Sequence, residues 1–161
     1  KDAYDMMEKM KKNKGIFEHI VLNYGVLRVD EQYRLQVVDE DIDEDNESCF
    51  INIKTKQMTI RRHKTMKKYK TKVFLMDDEF IEMVKHRLGK ALFPNRKDEM
   101  YETGKGLDDT IKEKYGCSVC DIRKMKTSIV LKENDTEERE RVAKFQGHDV
   151  STMVLLVVLE T

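Results

Sequence analysis

The chain has 161 residues, with 31 Lys/Arg balanced by 31 Asp/Glu, so its zero net charge argues against a uniformly basic nucleic-acid binder. The longest apolar run, Met153 to Leu159, falls far short of the ~20 residues a membrane span requires, and the charged first residues carry no signal-peptide pattern. Three cysteines, Cys49, Cys117 and Cys120, have no disulfide-framework spacing, which favours a reducing, intracellular compartment.

This length is one domain's worth, so a single domain over residues 1–161 is expected; 10 Met, 1 Pro and no Trp lean it towards helix. "YDMMEKMKK" reads as a short amphipathic helix that Gly15 interrupts. In "IFEHIVLNYGVL", Ile16, Phe17, Ile20, Val21 and Tyr24 fall on one helical stripe, the pattern of a buried face. "RVDEQYRLQVVDED" continues as another helical turn or two, and an acidic loop follows. Three short strands come next. "CFINIK" sets Cys49, Ile51 and Ile53 against Asn52 and Lys54, with Phe50 breaking the alternation. "QMTIRR" alternates Met58 and Ile60 with polar partners, and "KVFLM" is a short apolar run. Thr55-Lys56 is a hairpin-length link, and "HKTMKKYKT" is a basic connection. From Asp77 the chain turns helical: Asp77 and Asp78 can cap "EFIEMVKHRLGKAL". "FPNRKDEMYETGKG" is loop-like, and "LDDTIKEKYG" is a helix closed by Gly116. "SVCDIRKMKTSIVLK", "DTEERERVAKFQG" and "DVSTMVLLVVLE" complete the C-terminal helices. The predicted class is α+β, mainly α, with a small three-stranded antiparallel sheet.

The charges are blocked. Residues 39–47, "DEDIDEDNE", hold seven acids and no base; residues 54–72 hold nine Lys/Arg and no acid. Such blocks are usually solvated faces, but a basic block with strand-like periodicity can also form a phosphate-facing ridge. Arg61, Arg62, Lys67 and Lys68 are its candidate DNA contacts.

Single residues are ambiguous. Arg28 follows an apolar helix and reads equally as a surface arginine or one bordering a cleft. Lys64 is one of nine basic residues in its block. Cys117 and Cys120 form a lone CxxC with no second pair; two buried thiols explain it better than zinc. Arg123 is one turn further on, and His148 follows Gly147 at a helix junction.

Their order says more than any one of them. "YGVLRVDE", "TIRRHKTMKKYKTKVFLM", "CDIRK" and "FQGHDVSTMVLLVV" together resemble the catalytic domain of the tyrosine recombinases, the phage-integrase-like family, over residues 16–159. The first segment resembles that family's first arginine box, with Arg28. The second resembles the hairpin carrying the catalytic lysine, placed at Lys64. The third resembles the His-x-x-Arg box, with Cys120 and Arg123. The fourth resembles the Leu-Gly-His box running on to the nucleophilic tyrosine. The resemblance implies a helical recombinase-like catalytic domain lacking the family's N-terminal DNA-clamping domain. It also implies site-specific DNA recombination or integration through a 3′-phosphotyrosyl intermediate on double-stranded DNA. A homo-tetramer on DNA is implied for the full-length protein, with no cofactor and no metal.

The implied chemistry is direct. Two arginines, Arg28 and Arg123, would clamp the non-bridging oxygens of the scissile phosphate with bidentate bonds. Lys64 would protonate the leaving 5′-oxygen, and His148 would hydrogen-bond a non-bridging oxygen. Arg28, Arg123 and His148 are thus expected on one concave surface, with Lys64 on a hairpin nearby and the acidic block facing away from DNA.

Three departures stand out. The family's glycine two residues before the first arginine is Val26, with Gly25 one place earlier. Cys120 occupies the histidine of the His-x-x-Arg box, and a thiol is a weak hydrogen-bond partner. The tyrosine should stand nine residues after His148, where the chain has Val157, and no tyrosine follows Tyr115. As written the chain lacks its nucleophile and is expected to be catalytically dead. Either a recombinase carries an inactivating change, or the chain is a relative that binds DNA without cutting it. A type IB topoisomerase-like nicking enzyme shares the same chemistry, and a metal-binding or protein-interaction module built on the CxxC pair and the charge blocks is the reading furthest from it.

Overall fold

A computed structural model of the chain describes residues 2–44, 47–65, 68–133 and 135–147, with side chains omitted at 2, 62–65 and 68–70. In chain order the elements are α1 (Asp2–Asn13), α2 (Ile16–Asn23), α3 (Val29–Gln32), β1 (Leu35–Val38), β2 (Cys49–Asn52), β3 (Gln57–Thr65) and β4 (Lys68–Leu75). There follow α4 (Asp78–Val84), a 3-10 turn (Lys85–Arg87), α5 (Gly104–Tyr115), α6 (Val119–Lys132) and α7 (Thr136–Gln146). The chain is α+β, about half helical, and divides into two compact units: residues 1–28 with 109–161, and residues 29–108.

In the first unit α1 packs on α2 and α6, and α6 packs on α7. The expected stripe on α2 is buried at Phe17, Ile20 and Val21. Local chemistry sets the helix starts. Ser118 caps α6, accepting from the Asp121 N–H at 3.1 Å while Asp121 accepts from the Ser118 N–H, a capping box. Asp135 caps α7 through the Glu138 N–H at 3.1 Å. The ends are set by glycine. Gly116 closes α5 at φ +77°, as expected, and Gly147 closes α7 at φ +90°, a left-handed cap that a side chain would strain. Beyond Gly147, the expected last helix and with it His148 and Val157 lie outside the described residues.

The second unit holds the sheet, and here two expectations are corrected. The sheet has four strands in the order β1-β2-β3-β4, with β1 parallel to β2 and the other pairs antiparallel. The added strand is "LQVV", expected as helix. Leu35 and Val37 are fully buried and alternate with half-exposed Gln36 and Val38, a period of two that a four-residue strand shows too briefly to outweigh the helix before it. The "HKTMKKYKT" connection is largely strand too: β3 and β4 form one long hairpin, registered from Gln57↔Leu75 to Thr65↔Lys68. Main-chain hydrogen bonds make that ladder, so a polar, apolar-poor sequence can carry it without an apolar face to mark the strands.

Asp77 caps α4, accepting from the Phe80 N–H at 2.6 Å, as its position suggests. The helix is shorter than expected and stops at Val84. Gly89, at φ +81°, turns the following segment along the outer edge of β1. There Val37 donates to the Lys90 carbonyl at 3.0 Å and Leu92 donates to the Leu35 carbonyl at 2.9 Å. An edge that could pair with another chain is covered in this way.

Candidate functional site

Three of the four sequence boxes meet in the first unit, and the meeting point is Gln146. This residue, in the last turn of α7, is fully buried. Its side-chain Oε1 accepts the Val26 N–H at 3.0 Å, 120 residues away in sequence. Its Nε2 donates to the Thr127 hydroxyl at 2.9 Å. Its main-chain carbonyl accepts from the Arg123 guanidinium, 23 residues away. A buried amide must be matched at both ends, since an unmade bond costs about 1–3 kcal/mol, and here the partners sit on two different elements.

The strap that carries Arg28 is held tightly to this node. Val26 and Leu27 are fully buried, while Arg28 is exposed. Gly25 has φ +147°, and a Cβ there would sit 3.2 Å from Gln146 Cγ and 3.3 Å from the Phe145 ring. The glycine that stands one place off the family pattern is therefore required where it is. Tyr24 stacks on Phe145 at 5.7 Å between centroids. Arg123 is half-buried on α6, its fork turned to the end of α7. The "YGV", "CDIR" and "FQG" segments thus converge, and Gly147, whose left-handed turn ends α7, is the last described residue before His148.

Other expected residues fall elsewhere. Cys120 is exposed on the first turn of α6, one turn before Arg123. Cys117 is half-buried, and burial together with the Asp121 carboxylate pushes its thiol up from the ordinary value. Among the described residues no group of three possible metal ligands includes either cysteine. Lys64 belongs to the second unit, in β3 near the tip of the basic hairpin, where the register is irregular between His63 and Thr65. Arg62 and Lys68 lie on the same hairpin, and Lys67 is outside the described residues.

Arg61 is a correction. It is only 2% exposed, so it is not a surface cation. Its guanidinium donates to the Ile42 and Asp43 carbonyls and lies 5.3 Å from the centre of the Phe50 ring. Strand alternation could not reveal this, because the partner carbonyls belong to the crossover between β1 and β2. Arg34 adds a second fastening, donating to the Glu47 and Arg61 carbonyls, and Asn52 donates to Asp41 at 2.9 Å. The acidic segment is thus sewn to the sheet that carries the basic hairpin.

Two buried polar groups escaped the sequence reading. Glu18, 2% exposed, accepts from the Tyr115 hydroxyl and from Lys114 at 2.9 Å. Burial and that carboxylate hold the Tyr115 phenol protonated well above its ordinary range. Lys126 is buried on α6, donates to the Leu22 carbonyl at 3.2 Å, and has its pKa pushed down by burial. Both sit at helical positions that pattern alone assigns to solvent or to a salt bridge.

No family model matches the chain, and neither a curated protein nor a solved structure resembles it significantly. Among the described residues no helix is long and apolar enough to cross a membrane.

Proposed function

We propose that this chain is a DNA-binding domain of the tyrosine-recombinase type, acting in site-specific recombination or integration. Arg28 and Arg123 grip one phosphodiester and His148 adds a hydrogen bond; the resemblance alone gives Lys64, on the hairpin of the second unit, the role of proton donor to the leaving oxygen. The observation that carries this reading is the Gln146 node. Val26, 120 positions away, is tied to the buried Gln146 side-chain amide and Arg123, 23 positions away, to the main-chain carbonyl of the same residue, which draws together the segment leading to Arg28, Arg123 itself and the end of α7. A second support is the long β3–β4 hairpin bearing the basic block. Two arginines supply the positive charge that developing phosphate oxygens need, so the reading requires no metal.

As written, the chain binds and does not cut, because Val157 offers no nucleophile and Cys120 is a poor proton carrier. The alternative of a natural non-cleaving DNA-binding relative rests on these same two residues. In the recombinase case the full-length protein assembles as a tetramer on two duplexes.

The test is duplex affinity measured against salt. The expected result is a linear fall of log K with log salt, with a slope of roughly −0.9 for each phosphate contact. Arg62→Gln, Lys64→Gln and Lys68→Gln should each reduce that slope by about 1, and Arg61→Met should leave it unchanged. Affinity that is flat across the salt range would contradict the proposal.

A further inference from the structure

We infer that Gln146 is a positioning residue that sets the distance between the two phosphate-gripping arginines, an inference that rests on the function proposed above. Oε1 accepts from the Val26 N–H at 3.0 Å and Nε2 donates to the Thr127 hydroxyl at 2.9 Å, so the side chain ties the end of α7, with its Gln146 carbonyl, to the strap and to α6. That carbonyl is what the Arg123 guanidinium meets. The same Oε1 anchors the strap two residues before Arg28. One amide therefore places a donor fork on α6 and the exposed arginine of the strap from a single point. Gly25, pressed to 3.2 Å from Gln146 Cγ, and Phe145, stacked under Tyr24, leave that point little room to drift. A leucine here would fill a similar volume and keep the carbonyl that Arg123 meets, but it would hold neither the Val26 N–H nor Thr127. Gln146 touches no phosphate in this scheme and acts through Arg123 and Arg28.

The experiment uses the full chain with three variants: Gln146→Leu, Thr127→Val and Arg123→Ala. Thr127→Val keeps shape and removes only the hydroxyl, so it covers the case in which Gln146→Leu does not fold. Two readouts are taken: the Arg123 Nε–H cross-peak in a nitrogen–proton spectrum without DNA, and affinity for a mixed-sequence duplex. The expected result is a displaced Arg123 cross-peak in both node variants and a loss of affinity of about ten-fold. That loss should not add to the loss from Arg123→Ala, because the node works through that arginine. An unmoved cross-peak, or losses that add fully, overturns the inference. If the wild-type chain binds no duplex, the proposed function fails, and the cross-peak alone decides the node: a shift in Thr127→Val supports it, and no shift overturns it.

Discussion

At the residue scale, the consequential groups are those whose burial conflicts with their charge. The Tyr115 hydroxyl and the Lys114 ammonium both donate to the buried Glu18 carboxylate. Tyr115→Phe should cost about 1–3 kcal/mol in urea unfolding, because the carboxylate loses a donor that water cannot replace. The pH sign follows from the raised phenol. Its ordinary value is 10.0, and the folded chain keeps its proton above that while the unfolded chain releases it. Its contribution is therefore complete below pH 10 and is lost as pH rises further, and Tyr115→Phe should show no such fall. Lys126 runs the opposite way. Its folded value is depressed from 10.5, so the unfolded chain binds the extra proton between the two values and stability rises with pH across that window. Glu138 and Glu133 only partly offset the burial. Lys126→Met should be more stable than the parent at pH 7, and its unfolding free energy should rise less than the parent's as pH approaches 10.5 from below. Sequence gave no warning of either residue: a lysine and a tyrosine on amphipathic helices look the same whether their tips reach water or a buried partner.

At the element scale, legibility tracked local chemistry. The cap at Asp77 and the stop at Gly116 were read directly, because a cap needs only residues within one turn; Ser118, Asp135 and Gly147 stand at the ends of segments read as helices, and their capping roles come from the structure. Gly147→Ala should cost about 1 kcal/mol in thermal or urea unfolding through its left-handed backbone, whatever the role of the histidine that follows. Ser118→Ala should cost about 1 kcal/mol as well, through the lost capping box. The sheet was less legible. Strand β1 pairs in parallel with β2 across a crossover fastened by Arg61 and Arg34, and its partner lies more than ten residues away in sequence. A strand of four residues can neither announce that pairing nor outweigh the helical pattern upstream.

At the scale of the whole molecule, the order of the boxes pointed to which segments should meet, while the means by which they meet stayed hidden. Arg123 and the strap of Arg28 were legible as candidates; Gln146, the amide that joins their segments, was not. A glutamine before a helix-ending glycine has no signature apart from the partners it finds. Arg61 shows the reverse case, a basic residue in a basic block that belongs to the interior. The most direct measurement installs the tyrosine that the proposed function calls for. Duplexes are selected from a random-sequence pool by the parent chain, nicked near the centre, and incubated with Cys120→His/Val157→Tyr. The account predicts a denaturant-resistant protein–DNA adduct that disappears when Arg123→Ala is added. Selected duplexes that bind tightly yet yield no adduct, or an adduct indifferent to Arg123, would contradict it.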